Sequence, residues 1–173
     1  LLFDCIAIHF LPYYDEELYR NKLEAIVKKI DSSVDNILAT HITIEGVRAH
    51  SGLKVKNEIG QKLFENFKHV LVGHYHDRQL LQDDRIIYTG SAYQANFGED
   101  DKKGCVLIYD DEPYIEFIDL DFRKYITIDL LPDDIDRELV DKVKQKNQEA
   151  NVRLRITGEI PEHQKPFVLE LQQ

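Results

Sequence analysis

The sequence predicts an α/β protein: a layered sheet flanked by helices, followed by a small β-α-β unit. Three observations predict it. Apolar runs of strand length alternate with stretches of helical period up to Gly73. Strand-like runs then follow one another almost directly, which predicts an antiparallel region. After residue 124 the order returns to strand, helix, strand. The domain boundary is therefore expected between residues 122 and 123, with 1–122 as the first domain and 123–173 as the start of a second.

"DCIAIHFLPYY" (4 to 14) reads as a strand of mixed burial, broken by Pro12, which favours a turn or edge position. Asp15 can cap a helix running to about Asp31, because Tyr19, Leu23, Ile26, Val27 and Ile30 form one helical stripe. "NILATH" (36 to 41) is a short buried strand ending at His41. A loop and a helix near 55 to 67 follow, the latter with Val55, Ile59, Leu63, Phe64 and Phe67 on one face. "HVLVG" is the next strand. "RIIYTGS", "GCVLIYD", "YIEFIDLD" and "KYITIDL" make up the antiparallel region, with "DDEP" (110 to 113) as a hairpin connection. A helix over about 133 to 148, with Ile135, Leu139, Val140 and Val143 on one face, and the strand "VRLRITG" complete the small unit.

At 173 residues and 43% hydrophobic content the chain can build a substantial core. It has no Met and begins Leu-Leu-Phe-Asp, which reads as a fragment of a longer protein. The net charge of −10 excludes a general polyanion-binding surface. It leaves open local phosphate binding through bound cations, which invert the local charge. No apolar run is long enough to cross a bilayer, and a cytoplasmic location is expected. Cys5 and Cys105 lie in apolar stretches without metal or redox spacing and are expected to be buried free thiols.

The chemistry concentrates in Gly73-His74-Tyr75-His76. Ligands of α/β sheets gather at the carboxyl ends of strands, and His41 and the His74/His76 pair both follow predicted strands. If those strands are parallel neighbours, the three rings converge on one sheet edge. Gly73 permits the tight backbone that turns the pair inward. Positions i and i+2 of an irregular loop can reach two cations, as two-metal hydrolytic sites require. Read from the residues alone, however, a solvated turn and a hydrogen-bonded core histidine fit these positions equally well.

"LVGHYH" after an apolar strand, with "ATH" upstream, resembles the last two metal-binding motifs of the calcineurin-like metallophosphoesterases. Within that superfamily "RIIYTGSAYQANFGEDDKKG" resembles the stretch that follows G-H-x-H in SbcD-type DNA repair nucleases and their phage recombination-endonuclease counterparts. The shared texture is Tyr88-Thr89-Gly90-Ser91, then Phe97-Gly98-Glu99, then Lys103-Gly104 opening a strand. The resemblance implies the back half of a metallophosphoesterase β-sandwich, followed by the start of a capping domain. It also implies two divalent metal ions, usually manganese, with His41 and His74 on one and His76 on the other. Such metals orient a scissile phosphodiester and activate water at neutral pH, and neutral imidazoles suit borderline transition metals better than magnesium. The family's front-half segments D-x-H, G-D and G-N-H are not found in this sequence. The chain thus supplies about three ligands of the site. The resemblance implies catalysis only by the full-length protein, with no catalytic residue in this chain.

The resemblance further implies DNA as substrate and an SMC-like ATPase as partner, in double-strand-break repair or recombination. A homodimer would form through elements of the missing half. Two rival readings are a phosphomonoesterase or cyclic-nucleotide phosphodiesterase of the same superfamily, and a non-catalytic binding or assembly module. Arg48 and His50 could face a DNA backbone, Ser91 could donate to a phosphate, and Tyr75 could stack on a base. For each, a solvated loop, a turn or packing on the sheet fits at least as well. Lys102 and Lys103 read as a solvated loop that offsets Glu99-Asp100-Asp101, and His9, His69 and His163 as structural.

Overall fold

The computed structural model of the chain describes residues 2–3, 5–49, 52–56, 59–109 and 115–171. It is a mixed α/β protein with few helices, and it divides into two compact units. One comprises Leu1–Ala92 and Lys102–Asp119, the other Tyr93–Asp101 and Leu120–Gln173.

In the first unit β1 (Leu2–Phe3) pairs antiparallel with β2 (Ile6–Leu11). The chain crosses through α1 (Glu16–Val27) to β3 (Asp35–His41), which lies parallel to β2. Asp15 does cap α1: its carboxylate accepts from Leu18 N at 3.0 Å, satisfying a donor that the first turn leaves without a partner. Tyr19 and Leu23 are the buried members of the expected stripe, and Ile26, Val27 and Ile30 pack partly buried on the same core. β4 (His69–Gly73) runs parallel to β3. The antiparallel edge strand β5 (Gln79–Leu81) and then β6 (Ile86–Tyr88), parallel to β4, complete a six-stranded sheet of order β1-β2-β3-β4-β6-β5. The carboxyl ends of β2, β3, β4 and β6 therefore share one edge.

The helix expected near 55 to 67 is reduced to a 3-10 turn, Gln61–Phe64. Residues 57 and 58 lie outside the described residues, and Gly60 is extended. The backbone before it is paired across the loop instead. Gly46 N donates to Val55 O at 3.0 Å, Val55 N to Val47 O at 2.8 Å and Glu45 N to Ile59 O at 2.9 Å. Ile59, Phe64 and Phe67 still enter the core, so a folded-over loop meets the same burial demand that the helical spacing expressed.

β7 (Gly104–Ile108) and β8 (Ile115–Asp119) form an antiparallel hairpin. The connection expected at 110–113 lies outside the described residues. Among the described residues after β4, antiparallel pairing is limited to this hairpin and the edge strand β5. "RIIYTGS" gives β6, parallel to β4, and "KYITIDL" gives β9 (Tyr125–Leu130), whose partner is also parallel. Both cysteines are exposed, against expectation. Cys5 stands in a turn before β2, and Cys105 points outward from β7, between the buried Gly104 and the half-buried Val106.

In the second unit β9 crosses through α2 (Arg137–Glu149) to the parallel β10 (Asn151–Ile156), and α3 (Lys165–Leu171) follows. Ile135, Val140 and Val143 are buried, as the helical spacing predicts. Tyr93–Asp101, read from the sequence as part of the first domain, is pinned to β9 here. The buried Gln94 accepts from Tyr125 N at 2.8 Å, and the Phe97 ring meets Tyr125 edge-on at 4.9 Å. Among the described residues no helix is long and apolar enough to cross a membrane.

Candidate functional site at the carboxyl edge of the sheet

Strand register decides which side chains meet. β3 and β4 are parallel, and His41 pairs with Gly73, so the strands end level. The His41 and His74 rings stand 5.3 Å apart, centroid to centroid, at 73°. Gly73 is what allows this, because a Cβ there would lie 2.7 Å from His41 Nδ1, closer than real Cβ atoms come. His74 itself has φ 92°, a backbone region that side chains other than glycine rarely adopt. Such strain persists only where the surroundings impose it, and it concentrates at functional positions.

A chain of edge-on aromatic contacts holds the pair from below. His74 meets Tyr75 at 5.2 Å, and Tyr75 meets the buried Tyr88 at 5.5 Å. Tyr88 then bolts the start of the loop after β3: its hydroxyl donates to Ile42 O at 3.1 Å and accepts from Ile44 N at 2.8 Å. Burial pushes the Tyr88 hydroxyl well above its ordinary range, so it stays protonated and keeps both bonds. Tyr75 is partly buried and packs against the core through Tyr88.

His74 is held below the ordinary histidine range, first by desolvation and then by His41 and His76. A neutral imidazole is the form that ligates metal. His76 is exposed, and its backbone is tied down: its carbonyl accepts from Ser91 N at 3.1 Å and from Lys103 Nζ at 2.8 Å. Ser91 belongs to this corner through Gly90, whose φ of +75° turns the chain beneath His76. A Cβ on Gly90 would lie 3.1 Å from His76 O.

The remaining expected residues stand elsewhere or in other roles. Arg48 is exposed on the loop; its backbone N donates to Gln79 Oε1 at 2.7 Å and its guanidinium to Gly52 O at 3.2 Å. His50 lies outside the described residues. His9 is a satisfied interior histidine, 2.8 Å from Asn36 Oδ1. Lys103 is not solvated, as expected, but fully buried. From the sequence Arg78 was not singled out, Gly90 entered only within the Tyr88–Ser91 stretch, and Lys103 only as a loop residue before the strand opened by Gly104.

As a donor set, His41 and His74 fit a borderline cation, being imidazoles that are exposed and mutually close. Among the described residues no group of three His, Cys, Asp or Glu side chains converges closely enough to hold an ion unaided. Of the chain compared with models of known protein families, none matches.

Proposed function

We propose that this chain carries part of the metal centre of a phosphodiesterase acting on DNA, a nuclease of the metallophosphoesterase type. The observation that supports it most is the level ending of β3 and β4, which brings His41 against His74 with His74 in a strained backbone. His41 and His74 would share one ion and His76 would serve a second, manganese being the ion that the resemblance favours. Bound divalent metal supplies the positive charge that activates water and steadies the phosphodiester in flight. The chain's own part is to present imidazoles in a fixed direction.

The described ligands are imidazoles without a carboxylate among them. Hydrolysis is therefore assigned to the longer protein, in double-strand-break repair or recombination, with an SMC-like ATPase delivering DNA ends. An overall charge of −10 fits a substrate held through metal rather than through a basic surface. The same reading makes the β7–β8 hairpin part of a second sheet and the second unit a cap. In its support, Val106 and Ile108 line a cavity of about 320 Å³ together with Ile6, Ile8, Ile37 and Leu71.

Titrating the chain with Mn²⁺ or Co²⁺ tests the centre. His41→Ala and His74→Ala should each weaken binding about tenfold or more, by removing a direct ligand. Equal affinity in all three proteins would leave the histidines structural. For the activity, the longer protein with manganese should degrade linear duplex DNA. Turnover of a small phosphoester alone would move the substrate to the phosphomonoesterases.

A further inference from the structure

Lys103 has 0% of its side chain exposed. Burying an ammonium costs several kcal/mol in desolvation unless its hydrogen bonds and charge partners offset it. The two partners seen are consecutive residues of the histidine loop: Nζ donates to the His76 carbonyl at 2.8 Å and lies 3.2 Å from Asp77 Oδ1. The next residue is gripped from the same hairpin. The Arg78 guanidinium reaches Asp119 Oδ1 at 2.5 Å and Ile118 O at 3.0 Å, and stands 5.2 Å over the Phe117 ring. Residues 76 to 78 therefore do not form a free turn. They are clamped, and the buried end of the clamp acts on the backbone of His76 itself.

We propose that Lys103 is a positioning residue for His76: its ammonium fixes the His76 carbonyl, and with it the direction in which that imidazole is presented to a divalent cation. The inference rests on the reading of His76 as a ligand. A residue at one remove from a metal typically changes affinity by about 10–100-fold when removed. A lysine serving only the fold would lower stability and leave the affinity of the folded protein unchanged.

The test is a double-mutant cycle on Co²⁺ binding, read by visible absorbance and calorimetry, with thermal melts to confirm folding. Lys103→Met, which keeps the stem and removes the ammonium, should weaken Co²⁺ binding about tenfold and alter its absorption spectrum. In a His76→Ala background the same change should have almost no further effect, because its route to the metal is gone. Equal effects in the two backgrounds, or none in either, would overturn the positioning role. If Lys103→Met does not fold, Lys103→Arg decides. Its larger, planar fork places its donors differently in the fully buried space of the ammonium, so a spectrum and affinity identical to the parent's would likewise overturn the proposal. Failure of the underlying reading shows differently: the parent chain would bind no Co²⁺, or His76→Ala alone would leave binding unchanged.

Discussion

At position 73 one hydrogen atom in place of a methyl group lets two imidazoles meet. The His41 ring lies where a Gly73 Cβ would need to be, so the glycine is required for close approach rather than for a special backbone angle. Gly73→Ala should push His41 away from His74 and destabilise the fold by about 1–3 kcal/mol, the usual cost of overpacking. Denaturant midpoints would show the stability loss, and Co²⁺ titration a loss of affinity. Unchanged affinity would mean that His41 does not ligate. Gly73, His74 and His76 were legible in the sequence because a glycine before H-x-H at a strand exit is a local pattern. Lys103 was not. Its burial depends on the His76 carbonyl and Asp77, 27 and 26 residues earlier in the chain, and no window of sequence displays that pairing.

The strand ends depend on elements that are remote in sequence. Tyr88 closes β6 at full burial, and its hydroxyl bridges two backbone groups of the segment just after His41. Tyr88→Phe keeps the ring contact with Tyr75 but leaves Ile44 N and Ile42 O without this partner. The expected cost is about 1–3 kcal/mol, measurable by urea unfolding. Faster amide exchange at Ile44 should accompany it. A loss below about 0.5 kcal/mol would show that water or a backbone shift replaces the bridge. α1, β3, β4, α2 and β10 were readable from period and length, since each buries a face that recurs at its own spacing. The 55 to 67 stretch was misread because apolar spacing records burial, not the backbone that delivers it. Pairing partners were harder where no crossover unit announced them: β6 joins β4 in parallel, whereas β9 and β10 pair as the β-α-β reading implied.

Across the whole molecule, 32 carboxylates face 22 basic residues, so falling pH should first relieve repulsion between like charges. Two histidines act against that trend. His69 is 8% exposed on β4, and neither ring nitrogen has a hydrogen-bond partner among the described residues. Burial, then the neighbouring Lys68, holds its pKa below the ordinary 6.5, and His74 is shifted the same way. In the unfolded chain both return to the ordinary value. Below about pH 6.5 the unfolded state therefore binds protons that the native state refuses. Stability contributed by the neutral rings is complete above that pH and is lost as pH falls toward the depressed native values. Without metal, urea midpoints should drop between about pH 7.5 and pH 5.5. His69→Leu removes a buried ring with two unpaired nitrogens. It should raise stability at neutral pH by about 1 kcal/mol and flatten the acid loss, leaving the part due to His74. A variant whose stability falls as steeply with acid as the parent's would show that His69 is not the acid-sensitive group.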